Sequence, residues 1–186
     1  MRRSPFALVI ATVSLFALAP TPARAAVPGT DQGPRSPKDI HCLAKLDVTL
    51  SPGISMTPSA GRISSGGETG TNACDGPING FTPTGVATRG EEGRYGVEGP
   101  SSCMNPSGVA AWTIKFTVPT TGGPQHVEFP VRGTYGPLQG GGVYGGTFSG
   151  DGMYGHFTIR PVKGDCVTSP ITLAHLECDE WIVARP

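Results

Sequence analysis

Between Val143 and Lys163 apolar and polar residues alternate on both sides of a Gly150-Asp151-Gly152 turn. Met153, Gly155, Phe157 and Ile159 interleave with Tyr154, His156, Thr158 and Arg160. That period of two predicts a strand with one apolar face and one polar face. A tight turn at Gly150-Asp151 or Asp151-Gly152 suits the left-handed backbone of a hairpin. Either turn sets even residues of the first strand opposite odd residues of the second. Tyr144, Gly146 and Phe148 then share the inner face with Met153, Gly155, Phe157 and Ile159.

The same alternation recurs along the chain. Cys42, Ala44, Leu46, Val48 and Leu50 form one face of a first strand. Gly66 to Cys74 reads as a polar second strand, and pairing Leu50 with Gly66 in a hairpin also sets Cys42 opposite Cys74. Phe81 to Tyr95 holds one or two short strands broken by Gly85, Gly90 and Gly93. Val109 to Val118 places Trp112, Ile114, Phe116 and Val118 inward. Gln125 to Arg132 returns with Val127, Phe129 and Val131 inward and His126, Glu128 and Arg132 outward. A last strand runs through Ile171 and Leu173, and Trp181 and Val183 close the chain. About eight antiparallel strands joined mostly as neighbours predict an all-β domain, either an up-and-down barrel or a two-sheet sandwich.

Glycine shapes this picture. Each of the four tyrosines, Tyr95, Tyr135, Tyr144 and Tyr154, is followed by glycine. In a curved sheet glycine permits the bend and a neighbouring ring covers the bare backbone; the alternative is a set of tyrosines lining a ligand site. The 28 glycines and 19 prolines coexist with alternating apolar strands, a pattern that disordered chains lack.

The N-terminus reads as a secretory signal: basic Arg2 and Arg3, an apolar run from Phe6 to Ala19, and Ala23-Arg24-Ala25 ahead of a cleavage point. The expected organisation is a signal peptide over 1–25, a flexible lead-in over 26–40, rich in Pro and Gly from Ala26 to Pro37, and one barrel-like domain over 41–186. No later stretch is apolar and long enough to span a bilayer as a helix. Without Arg2, Arg3 and Arg24, the 14 basic residues fall to eleven against 14 acidic ones, a net charge of −3. With no basic run, a nucleic-acid partner is not expected.

Five cysteines in an exported chain read as disulfides. The hairpin register pairs Cys42 with Cys74. Elimination pairs Cys103 with Cys166 and leaves Cys178 as a free thiol, although Cys178 can replace either partner of the second bridge. The spacings include no Cys-x-x-Cys, so no structural zinc is expected.

Catalytic motifs are sparse. His126 and Glu128 form an i, i+2 pair on one outer face, a spacing open to a metal or a general base and also to two solvated side chains. Gly-x-Ser-x-Gly is missing. Asp151 lacks the other oxygen ligands of a calcium loop and reads as a turn residue. Glu91 and Glu92 are adjacent, so they point to opposite faces of a strand. No inner face of the pattern carries an ionisable residue. Neither a catalytic residue, a metal nor a cofactor is therefore assigned.

Several runs look like those of secreted, β-rich actinomycete proteins without a characterised function: Ser51-Pro52-Gly53-Ile54-Ser55, Gly66-Gly67-Glu68-Thr69-Gly70, Cys74-Asp75-Gly76, Gly93-Arg94-Tyr95-Gly96 and Gly164-Asp165-Cys166-Val167-Thr168. The resemblance spans most of the chain after the signal. It implies a shared fold and export, and it brings no catalytic residues.

Three functions follow as expectations. The first is a binding module for a small apolar ligand, with Tyr144, Phe148 and Phe157 around Gly146 and Gly155, and Trp112 and Phe116 on the neighbouring hairpin. The second is a cell-envelope or extracellular protein that meets a protein partner through its loops. The third is a small-barrel enzyme such as a cyclase, isomerase or hydrolase. Oligomeric state is not fixed by the pattern.

Overall fold

The computed structural model describes residues 38–66, 70–138 and 142–184. The signal segment over 1–25 and the lead-in as far as Pro37 lie outside them. Among the described residues there are nine strands: β1 (Ile40–Ile54), β2 (Gly61–Ser64), β3 (Gly70–Cys74), β4 (Ala87–Tyr95), β5 (Gly108–Thr120), β6 (Gly123–Pro137), β7 (Tyr144–Gly150), β8 (Met153–Lys163) and β9 (Ile171–Ile182). Each pairs antiparallel with its neighbours, and β9 returns to β1 from Ile40↔Ile182 to Thr49↔Leu173, so the sheet closes in a ring. Closure leaves the long strands with partners on both sides, which suits a sheet so rich in glycine.

The strand count exceeds the expected eight because β2 and β3 share one place in the ring. Both lie between β1 and β4. Leu50 faces Ile63 and Lys45 faces Thr71, so five residues along β1 correspond to eight on the partner side. Three extra residues therefore separate β2 from β3, and β2 lies ahead of the strand expected over Gly66 to Cys74. Leu50 faces Ile63 rather than Gly66, yet Cys42 does stand opposite Cys74 and is bonded to it. The expected breaks at Gly90 and Gly93 do not occur, since β4 runs through both.

Inward and outward faces follow the alternation in most strands. Cys42, Ala44, Leu46, Val48 and Leu50 are buried, as are Trp112, Ile114, Phe116 and Val118 on β5 and Val127, Phe129 and Val131 on β6. The hairpin β7–β8 sets Gly146 opposite Phe157 and Phe148 opposite Gly155. Its turn is Asp151-Gly152, with Gly152 at φ 84°. The last strand differs from expectation. Its inner face is Ala174, Leu176, Cys178, Glu180 and Ile182, while Leu173 lies on the other parity. Irregular register near Thr49/Ile54 in β1 and Pro161/Lys163 in β8 brings Ile171 inward at the strand's start, so the first two apolar residues misreport the face.

One end of the ring is capped by loops that follow β1, β4 and β8. The disulfide Cys103–Cys166 joins the β4–β5 loop to the β8–β9 loop. Cys103 N donates to Ser55 O at 2.8 Å, and Ser59 and Ser101 exchange backbone hydrogen bonds of 2.8 Å. Asp165 holds the turn around Cys166, whose φ is 71°, by accepting from the amides of Val167, Thr168 and Ser169 and from the Thr168 hydroxyl.

Candidate functional site

Below this cap the interior holds a cavity of about 70 Å³. Walls come from all around the ring: Leu50 of β1, Ile63 of β2, Tyr95 of β4, Trp112 of β5, Tyr135 of β6, Tyr144 of β7, Phe157 of β8 and Leu176 of β9. Trp112 can lean inward because Gly93 stands opposite it, where a Cβ would collide with the Trp112 backbone and Cβ. The ring of Trp112 meets Phe157 edge-on at 5.7 Å. Tyr95 donates its hydroxyl to Pro52 O and pairs with Ser59 Oγ, while the Tyr135 hydroxyl pairs with Ser101 Oγ. These hydroxyls serve the cap, and the rings face the cavity.

Among the residues expected to form a ligand site, Tyr144, Phe157 and Trp112 border the cavity. Phe148 stands behind them, packed on Trp112 at 5.5 Å. Phe116 is fully buried against Phe129 at 5.8 Å and is not in the cavity's lining. Gly146 and Gly155 are not part of this cavity's lining. A Cβ at Gly146 would collide with the Thr134 carbonyl, and one at Gly155 would sit 2.6 Å from the Asp179 carbonyl oxygen. These glycines let neighbouring strands approach; the open volume lies elsewhere. Three of the four tyrosines border the cavity. Tyr154 instead stacks outside the ring on Trp181 at 5.7 Å. That outer face is not simply solvated, because Trp181 is also stacked by His41 at 5.1 Å and met edge-on by His156 at 6.1 Å.

His126 and Glu128 are exposed on β6. Thr117 Oγ1 lies 2.9 Å from His126 Nδ1. Among the described residues no group of three or more His, Cys, Asp or Glu side chains gathers as a metal site.

The expectation that no ionisable residue faces inward is overturned. Arg89, Glu91 and Glu180 are all buried inside the ring. Arg89 donates from Nε to Glu91 Oε1 at 3.0 Å and from Nη2 to the same oxygen at 2.5 Å. Its Nη1 donates to Glu180 Oε1, and Nη2 lies 3.5 Å from the Sγ of the free thiol Cys178. The guanidinium also sits over the Phe116 ring, 5.6 Å from its centroid. Glu91 borders the cavity, so the ion cluster forms its floor.

Burial decides the titration of this cluster. It pushes the Glu91 carboxyl up, Arg89 pulls it partly back, and the net value is about 7. Glu180 is raised for the same reason, with Arg89 opposing. Burial pushes the Cys178 thiol well up, against the pull of Arg89. For Arg89, burial works downward, but Glu180, Cys178 and Glu91 together hold it well above its usual range.

The sequence carries a faint signal for these residues. Ala174, Leu176, Cys178, Glu180 and Ile182 form a period-two set with one charge in it. On β4, charges occur on both faces, so parity alone does not mark Arg89 and Glu91 as internal.

No protein-family model, no curated protein and no solved structure matches this chain.

Proposed function

We propose that the protein is an exported, non-catalytic module that holds a small apolar ligand inside its ring of strands. The observation that carries this is the interior cavity, walled by aromatic and aliphatic side chains from every side and covered by a cross-linked cap. A concave apolar site with a small number of polar groups is the usual form of a small-molecule pocket. Export is supported by the signal-like N-terminus and by two disulfides, which persist in oxidising compartments. No helix of the described residues is long and apolar enough to cross a membrane.

Size narrows the ligand. The cavity's 70 Å³ is roughly half of the ~150 Å³ that accommodates benzene in an engineered site. A ligand wholly enclosed there is a small molecule. Native mass spectrometry of the purified protein should reveal a retained small molecule. Titration of a Trp181→Phe variant with short-chain hydrocarbons should then give a saturable change in Trp112 fluorescence. No retained mass and no saturable change would leave the loops as the functional surface.

A second reading is an enzyme that uses Glu91 as acid and base. It is favoured by a carboxyl that titrates at about 7 and borders the cavity, since a group poised near neutrality both gives and takes protons. Conversion of the retained molecule by the wild type and not by Glu91→Gln would establish it. Recovery of the molecule unchanged from both would reject it.

A further inference from the structure

We propose that the cavity takes a short-chain amine bound as its ammonium ion, with the nitrogen at Glu91 and the hydrocarbon against the aromatic wall. The proposal rests on the cavity being a ligand site, as above.

The buried charges do not balance. Arg89 brings one positive charge, while Glu91 and Glu180 bring two carboxyl groups, and the three side chains are at most 2% exposed. Both hydrogen bonds from Arg89 to Glu91 land on Oε1, and Oε2 accepts none. Glu180 Oε2 is buried and also without a partner. The cluster therefore lacks one positive charge and has acceptor oxygens to spare.

What a ligand meets in the cavity follows from the lining. It includes no Lys, Arg or His, the hydroxyls of Tyr95 and Tyr135 are taken by the cap, and Trp112 Nε1 is a buried donor without a partner. Glu91 is the charged group on the wall. A carboxylate ligand would meet like charge in an apolar site. A neutral alcohol can donate a hydrogen bond but leaves the surplus charge uncompensated. An ammonium ion supplies both the missing charge and three donors. The rings of Trp112, Tyr144 and Phe157 add a favourable surface for a cation. Without a ligand, a proton neutralises the cluster, so an arriving ammonium displaces that proton.

The charged and titratable groups facing Glu91 are Arg89 on its own strand and Glu180 and Cys178 on β9. His41 and Asp179, on the outer side, act on Glu180. Raising the pH removes the competing proton from the carboxyls. Affinity for the amine should rise about tenfold per pH unit up to near neutrality and then level off, as linkage to one proton requires.

Propylamine, propan-1-ol and propionate are matched in size and separate these cases. NMR titration of the protein should follow the Trp112 indole and the β4 amides. Propylamine is expected to saturate at least tenfold more tightly than propan-1-ol above neutral pH, and to weaken as the solution is acidified. In Glu91→Gln that advantage should vanish, leaving propylamine no tighter than propan-1-ol. Equal binding of amine and alcohol, pH-independent amine binding, or preferred binding of propionate would overturn the inference and leave apolar binding intact. Binding of none of the three would overturn both. If Glu91→Gln fails to fold, the pH dependence of the wild type decides.

Discussion

Arg89 and Glu91 stand two residues apart on the inner face of β4, and the Nη2 of one lies 2.5 Å from the Oε1 of the other inside the ring of strands. Removing one member of a buried ion set strands the others without compensation. Arg89→Met should therefore cost about 3–5 kcal/mol in denaturant unfolding. Replacing Glu91 and Glu180 by Leu in the same chain should recover most of that loss, because a well-packed apolar set avoids the desolvation cost. A single Arg89→Met variant as stable as wild type would show that the cluster is not closed as described.

Stability should fall as pH rises through the Glu91 transition. This carboxyl titrates at about 7 in the fold against an ordinary 4.5, so the folded state holds a proton that the unfolded state has already lost. Its contribution is intact below the ordinary value, declines as pH rises towards the folded value, and is gone above it. The span corresponds to about 3 kcal/mol at most. Asp165 acts oppositely: hydrogen bonds from Thr168, Ser169 and Val167 lower it to about 2 from 3.8, so its contribution disappears only in strong acid. Urea midpoints should be highest at mildly acidic pH and lower above neutrality, and Glu91→Gln should flatten the decline. A midpoint that rises across neutrality would contradict this.

Gly146 and Gly155 should not tolerate bulk. Their Cβ positions run into the carbonyls of Thr134 and Asp179, which are backbone atoms held in the sheet. Gly155→Val should cost roughly 3 kcal/mol or more in thermal unfolding, the upper range of overpacking. A stable Gly155→Val protein that had lost ligand would return these positions to the binding site.

Outside the ring, Trp181 is only 7% exposed beneath His41, Tyr154 and His156. Trp181→Ala should cost about 3–5 kcal/mol, like truncation of a core aromatic. His156→Ala removes one edge contact and should cost about 0.5–1.5 kcal/mol. No loss at Trp181 would mean that the stack is not formed in solution.

Much of the fold is legible in the chain because alternation with a period of two fixes the faces of β1, β5, β6 and β8. The turn at Asp151-Gly152 and the opposition of Cys42 and Cys74 follow from the same rule. Where the backbone departs from regular pairing, the pattern misleads. The three extra residues between β2 and β3 shift the hairpin, and the irregular start of β9 reverses its apparent face. The charged floor is hidden in the pattern for a related reason. Glu180 lies on the face that the start of β9 hides, and Arg89 shares β4 with the exposed Glu92 and Arg94. The cavity wall was legible only at Trp112, Tyr144 and Phe157. Glycine in a sequence does not say whether it opens space or lets two strands touch.

Xenon uptake followed by NMR tests the proposed interior site most directly, since xenon enters small apolar cavities regardless of the natural ligand. Ala110 borders the cavity and is buried, so Ala110→Leu should fill it with little cost to the fold. Saturable xenon binding in the wild type that disappears in Ala110→Leu is the expected result. Absence of saturable binding, or binding unchanged by Ala110→Leu, would contradict a ligand site inside the ring.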